Sequence, residues 1–193
     1  MNQFHIDHTD IPGLMTIRPH PIADDRGWFM RSFSAQEYAT AGIDQSSQVQ
    51  ENHSRSRHGV LRGLHTRSEL SEAKLVRAAR GKVFDVVADL RPGSPTFLQW
   101  RGFVLDDEEH LQVRVPAGCA HGFQVLSDVA DVCYKVDAPY DKSLDVTIAW
   151  NDPALGITWP LGNPVLSERD RTAPPLSAVR EHLPEWFGAG RDW

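Results

Sequence analysis

Apolar and β-branched residues come in short runs along the chain, and Gly or Pro interrupts them at short intervals. Segments 13–19, 28–33, 75–79, 83–90, 97–104, 111–115, 122–126, 132–136 and 146–150 read as strands. Many short strands with few helical stretches predict an all-β sandwich or barrel. In segment 83–90 the alternation puts Asp85 and Asp89 on one face, toward a strand edge or a cavity mouth. Ser34, followed three residues later by Glu37, forms a capping box that opens a short helix ending before Gly42. A second short helix is predicted over 177–182, capped by Ser177 and stopped by Pro184. Residues 1–175 read as one domain. Residues 176–193 form a tail whose Trp186 and Trp193 are costly to expose, so it packs on the barrel or on a partner.

A chain of 193 residues buries a core without disulfides. Its two cysteines, Cys119 and Cys133, lie in apolar runs and read as small core residues in a reducing compartment. The first ten residues are polar, with His5 and His8 as surface features, and lack the basic-then-apolar order of a signal peptide. No apolar run approaches the roughly 20 residues of a membrane helix. The expectation is a cytoplasmic protein with no membrane contact. A net charge of -6 argues against a general nucleic-acid binder. The basic residues from Arg55 to Arg67 form a local cluster that suits a small anionic ligand, unless they merely solvate a loop.

Four segments carry candidate chemistry. In Gly59-Val60-Leu61-Arg62-Gly63-Leu64-His65 an Arg and a His stand three apart in an apolar stretch. A regular strand would send them to opposite faces, but Gly63 permits a bulge that turns both toward one cavity. The alternative is a rim strand with a solvent-facing Arg and a satisfied His. Pro116-Ala117-Gly118 fixes a turn that delivers His121 into the next strand. Tyr134 lies within a strand, and Asp170 lies in a loop ahead of a Pro-rich turn. A metal-binding barrel of the cupin type needs two His one residue apart, then a Glu and a later His. Here Arg67, which cannot ligate, holds the place of the second His, so no metal site is expected from His65, Glu69, Glu72 and His121.

These segments, with others in the same order, resemble the dTDP-4-dehydrorhamnose 3,5-epimerase family. The resemblance covers residues 11–175 and includes Asp25-Arg26-Gly27-Trp28-Phe29, Gln50-Glu51-Asn52-His53-Ser54, Ala73-Lys74-Leu75-Val76-Arg77, Ser94-Pro95-Thr96-Phe97 and Trp150-Asn151-Asp152-Pro153. It implies a double-stranded β-helix, a cupin-like jelly-roll barrel, with a few short peripheral helices, no metal and no other cofactor. It implies a homodimer with N-terminal strands exchanged, so that Phe29 and Arg31 act in the other subunit's pocket. His65 would be the base, Asp170 its orienting partner and Tyr134 the acid across the sugar. Arg62 and Lys74 would line the site near the ketone, with His121 close by. Arg26, Gln50 and Asn52 would hold the nucleotide-sugar, with Phe29 near its base.

The implied reaction inverts C3, C5 or both of a nucleotide-linked 4-keto-6-deoxyhexose. A ketone at C4 acidifies both neighbouring C–H groups, and an imidazole suits the proton removal. A cation meets the enolate oxygen. Because the ketone is already in place, no metal or nicotinamide is required, in agreement with the broken metal motif and the lack of a glycine-rich dinucleotide fingerprint. The rivals are a single-centre epimerase, an enzyme for a CDP- or GDP-sugar, and a barrel that binds nucleotide-sugars without turnover. The second rests on departures from the family pattern. Arg31 replaces a usual acid, Thr66 and Arg67 replace an aromatic and a Gln, and Pro139 replaces a frequent aromatic. Arg31 only donates hydrogen bonds, so it suits base acceptors or phosphate, unless it and Arg67 simply pair with acids such as Asp24 or Glu69.

Overall fold

The computed structural model describes residues 4–40, 43, 49–188 and 193. Its strands, in chain order, are β1 (Phe4–His8), β2 (Met15–Pro19), β3 (Ile22–Asp24), β4 (Gly27–Phe29), β5 (Gln50–Arg57), β6 (Leu61–Arg67), β7 (Lys74–Arg80), β8 (Lys82–Asp89), β9 (Trp100–Asp106), β10 (Gln112–Val115), β11 (Cys119–Val125), β12 (Val129–Val136) and β13 (Asp145–Thr147). Three short α-helices accompany them: α1 (Ala35–Thr40), α2 (Glu168–Arg171) and α3 (Leu183–Phe187). One sheet runs β1-β2-β10-β7-β12-β5 and the other β13-β6-β11-β8-β9, while β3 and β4 form a separate hairpin. All the strand pairs within the sheets are antiparallel. This is the cupin-like double-stranded β-helix barrel.

Period-two alternation explains the three apolar layers. Val76, Ala78, Val113, Val115 and Val132 of the first sheet meet Val83, Val87, Leu105, Phe123 and Val125 of the second inside the barrel. The outer face of the second sheet carries Leu64, Val86, Ala88 and Ala120, and the tail covers it with Leu176, Leu183 and Phe187. On the outer face of the first sheet, Phe4, Met15, Ile17 and Leu75 pack with Tyr38 of α1. The end of the chain also reaches the barrel. Trp193 donates from Nε1 to the Pro92 carbonyl at 3.2 Å and lies under the Arg91 guanidinium.

Several sequence expectations need correction. Of the segment predicted as a strand over 28–33 only Trp28 and Phe29 pair, and Phe33 turns to pack edge-on against Tyr38. Ser34 does cap α1, accepting from the Glu37 N–H at 3.3 Å, but Gly42 lies outside the described residues. Pro184 does not stop a helix. It sits in the first turn of α3, where a missing N–H costs nothing, after two 3-10 turns in which Ser177 makes no capping bond. Asp85 and Asp89 share a face, but that face is the barrel interior, and both are fully buried. Asp89 is tied by a two-point contact to Arg91 and by the hydroxyls of Ser94 and Thr96. The basic residues from Arg55 to Arg67 do not converge. Arg55 pairs with Asp131, Arg57 is exposed, and Arg67 is buried beside Glu72.

One local irregularity positions the site. Along the β6–β11 pair, His65 faces His121 and Arg62 faces Phe123, so three residue steps on β6 span two on β11. The extra residue makes a bulge at Gly63-Leu64. Gly63 adopts φ +134°, and a Cβ there would lie 2.6 Å from the Gly122 Cα. Only glycine fits this close approach of two backbones. Gly63→Ala is therefore expected to destabilise the fold by about 3 kcal/mol, a fall in melting temperature on the order of 10 °C. A thermal melt with a wild-type midpoint would refute the constraint.

Candidate active site

The bulge lets Arg62 and His65 enter the same cavity, which Ser54, Lys74, His121, Phe123 and Tyr134 complete, with a volume of about 140 Å³. It opens outward into a second space of about 250 Å³, bordered by Gln50, Asn52, Glu72, Tyr140, Asp145 and Arg169. The side chains come from both sheets. β5, β7 and β12 supply Asn52, Lys74 and Tyr134, while β6 and β11 supply His65 and His121. Arg62, itself partly open to solvent, donates from Nε to Ser56 Oγ of β5 at 3.0 Å.

Asp170 stands behind His65. Ser167 caps α2 by accepting from the Asp170 N–H, and its hydroxyl donates to Asp170 Oδ2 at 2.7 Å. The other carboxylate oxygen accepts from His65 Nε2 at 2.7 Å. With Nε2 assigned as the protonated nitrogen, Nδ1 carries the lone pair. Burial of the imidazole is the leading influence on it, and with the nearby charges of Lys74 and Arg169 it holds the His65 pKa below 6.5, against the upward pull of Asp170. Burial acts to raise the Asp170 carboxyl, but hydrogen bonds from His65, Ser167 and the Gly63 backbone outweigh it and keep the group below 3.8. The pair at neutral pH is thus a neutral imidazole on a carboxylate.

Tyr134 presents its phenol to the same cavity. Burial first, then the charge of Glu72, raises its pKa above 10, although Asn52 and Arg62 partly oppose this. The phenol therefore keeps its proton at neutral pH. Gln50 donates to Asn52 Oδ1 at 2.8 Å, which orients the amide that meets Tyr134. A second histidine–carboxylate contact lies deeper, where His121 Nε2 meets Asp85 Oδ2 at 2.7 Å.

Of the residues singled out in the sequence, His65, Asp170, Tyr134, Gln50, Asn52, Arg62, Lys74 and His121 are brought together. Arg26, Phe29 and Arg31 are not. Arg26 and Phe29 sit on the β3–β4 hairpin, bordering a different, open cavity with Ile22, Asp24 and Trp28. Arg26 pairs with Asp24 and Arg31 with Glu37 at 2.7 Å. Glu72, Asp145, Arg169 and Asp85 border or support the site without having been assigned a role from the sequence. Asp85 carried a signal, its inward phase with Val83 and Val87. The others sit in loops or at segment ends, where no periodicity marks them. Among the described residues no three His, Cys, Asp or Glu side chains gather into a set able to hold a metal ion, and no helix is long and apolar enough to cross a membrane.

Comparison with known proteins accords with this geometry. The family profile of dTDP-4-dehydrorhamnose 3,5-epimerase matches residues 8–178. The dTDP-4-dehydrorhamnose 3,5-epimerase of Pseudomonas aeruginosa is 48% identical over 162 residues, covering 83% of this chain and 90% of its own. The crystal structure of a dTDP-6-deoxy-D-glucose-3,5-epimerase from Legionella pneumophila, in complex with dTDP-4-keto-L-rhamnose, superimposes with a TM-score of 0.88. It shows 44% identity, covering 93% of this chain and 96% of that one. A 3'-monoepimerase from Streptomyces bikiniensis, in complex with dTDP-quinovose, gives a TM-score of 0.84 and 35% identity over 90% of this chain and 89% of that one. The profile spans most of the chain and the relatives match nearly end to end, so this protein is an isomerase that belongs to the dTDP-4-dehydrorhamnose 3,5-epimerase family.

Proposed function

We propose that the chain epimerises C3, C5 or both of a nucleotide-linked 4-keto-6-deoxyhexose of the dTDP-4-dehydro-6-deoxyglucose type, through an enolate. The observation that carries this reading is one cavity with a neutral imidazole on one wall and a protonated phenol on another. His65 Nδ1 takes the proton from the carbon beside the ketone, and the C–H electron pair becomes the enolate, with its charge on the C4 oxygen. Asp170 stabilises the imidazolium so formed. Lys74 and Arg62 offset the oxyanion. Tyr134 then gives its proton to the opposite face of the same carbon, which inverts it, and exchange with water returns both groups to their starting states. Every step runs on side chains of the cavity, with no cofactor.

A single-centre outcome is the second reading, since the 3'-monoepimerase shares this fold at 35% identity. The non-catalytic barrel gains no support from a chain in a family of isomerases. A CDP- or GDP-sugar preference loses its main argument, because Arg31 is paired with Glu37 and Arg67 with Glu72.

The assembly proposed is a homodimer whose N-terminal strands cross over, with Arg26, Phe29 and Arg31 completing the partner's nucleotide pocket. The hairpin exposes Ile22, Trp28 and Phe29 at 63%, 55% and 72%, an apolar patch of the kind that seeks a protein surface.

Proton NMR of dTDP-4-keto-6-deoxyglucose in deuterated water tests the reaction. Loss of the C3 and C5 signals is expected, loss of one marks a single-centre enzyme, and retention of both refutes the reading. His65→Asn is expected to slow the exchange by about 10²–10⁴-fold. In the pH profile of kcat/KM, the neutral base is lost as pH falls through its lowered pKa, and the phenol as pH rises through its raised one. The acid limb is expected below 6.5 and the alkaline limb above 10, and an acid limb at or above an ordinary imidazole would contradict the assignment. Light scattering at micromolar concentration is expected to give twice the chain mass, whereas a monomer would count against the crossed hairpins.

A further inference from the structure

Behind Lys74 lies a buried charge network that the proposed mechanism has not used. Lys74 Nζ is 3.2 Å from Glu72 Oε1, and the other oxygen of that carboxylate accepts from Arg67 Nη1 at 3.0 Å. Both ends of the network are well covered, with Arg67 only 5% exposed and the Lys74 side chain 13%. Arg67 is fixed from a second direction, donating to the Pro139 carbonyl at 3.0 Å, and its Nη2 lies 3.7 Å from Glu69. The loop between β6 and β7 is pinned as well, since the Ala73 N–H donates to Asp137 Oδ1 at 2.8 Å. Glu72 itself holds a left-handed backbone, φ +64°, which a side chain of its kind adopts only when its surroundings require it.

A carboxylate is a poor neighbour for a reaction that builds negative charge. Glu72 borders the cavity together with Lys74 and Tyr134. Alone with Lys74 it would cancel the ammonium charge that the C4 oxygen needs. Over Lys74, Glu72 and Arg67, two cations and one carboxylate leave one net positive charge, and Glu69 beyond them is 46% exposed, so solvent screens it. Resting on the epimerase reading of the site, we propose that Glu72 is a positioning residue that clamps Lys74 toward the sugar ketone, and that Arg67 neutralises the clamp so that the cavity wall stays electropositive. The gain is a long, flexible lysine held ready for the enolate without loss of the field that stabilises it. Arg67 thereby acts through Glu72 and touches no reacting atom.

Charge reversal of the effect makes this testable. Arg67→Gln leaves Glu72 paired with Lys74 alone, which cancels the ammonium charge, and kcat is expected to fall about tenfold, a barrier increase of ~1.4 kcal/mol, with KM changed much less. In the double variant R67Q/E72Q both charges are gone and Lys74 regains its unopposed charge, so kcat is expected to recover severalfold over R67Q. Independent losses would instead multiply. A substrate-free readout accompanies this. The Tyr134 phenol is faced by Glu72 and Lys74, by Arg62 and His65 of β6, and by Asp145 and Arg169. Of these, Glu72 exerts the largest upward charge effect. Ultraviolet difference titration of E72Q, referenced to Tyr134→Phe, is expected to show the phenol ionising at lower pH than in the wild type. Thermal melts confirm that each variant is folded. An unmoved titration in E72Q, a wild-type kcat in R67Q, or a double variant as slow as the product of the singles would each overturn the proposal. Absence of proton exchange in the wild-type enzyme would fail the epimerase reading alone, because the titration needs no substrate.

Discussion

The close approach of the β6 and β11 backbones at Gly63 and Gly122 is the constraint on which the site depends. A regular β6 would point Arg62 and His65 to opposite faces. The bulge supplies one extra residue, and both side chains enter the barrel. It also brings the Gly63 N–H to the Asp170 carboxylate, so one backbone irregularity sets His65 and helps to hold its partner. Asp170 arrives from far along the chain, on a four-residue helix capped by Ser167. The His65–Asp170 pair therefore joins a strand in the first half of the sequence to a short helix near its end.

Much of this was legible because apolar alternation is loud. The barrel strands β7, β8, β10, β11 and β12 follow from Val, Leu, Ala and Phe at period two, and Gly63 announced its bulge by separating two polar residues in an apolar run. What stayed hidden was polar. Gln50–Arg57 contains no apolar residue, so hydrophobic patterning passes over it, yet it is a full strand with eight residues paired to β12. A different alternation was present there: Gln50, Asn52, Ser54 and Ser56 are uncharged, while Glu51, Arg55 and Arg57 are charged, and the uncharged set looks inward. A strand that lines a reactive cavity replaces the apolar-in rule with a neutral-polar-in rule. The same substitution explains why a run of arginines looked like one basic patch. Strand pleating and pairing with Asp131 and Glu72 divided it among three environments.

The resemblance named cavity residues that periodicity did not, and the residues it named that lie outside that cavity are those of the hairpin segment. Arg26, Phe29 and Arg31 occupy a hairpin of three-residue strands that packs little against its own barrel. Local sequence specifies that hairpin well through the Asp24 and Arg26 pair at its turn. What it would address in the proposed dimer is not encoded directly by any pattern within one chain.

The proposed base and acid ride on different sheets, His65 on the one that holds β11 and Tyr134 on the one that holds β5. Their separation is thus a thickness, fixed by how the valines and the phenylalanine between the layers are packed. A methyl group gained or lost in that filling, well away from the cavity, resets the gap between imidazole and phenol. On the proposed mechanism, the stereochemical outcome then depends on the wall spacing as much as on the reactive groups.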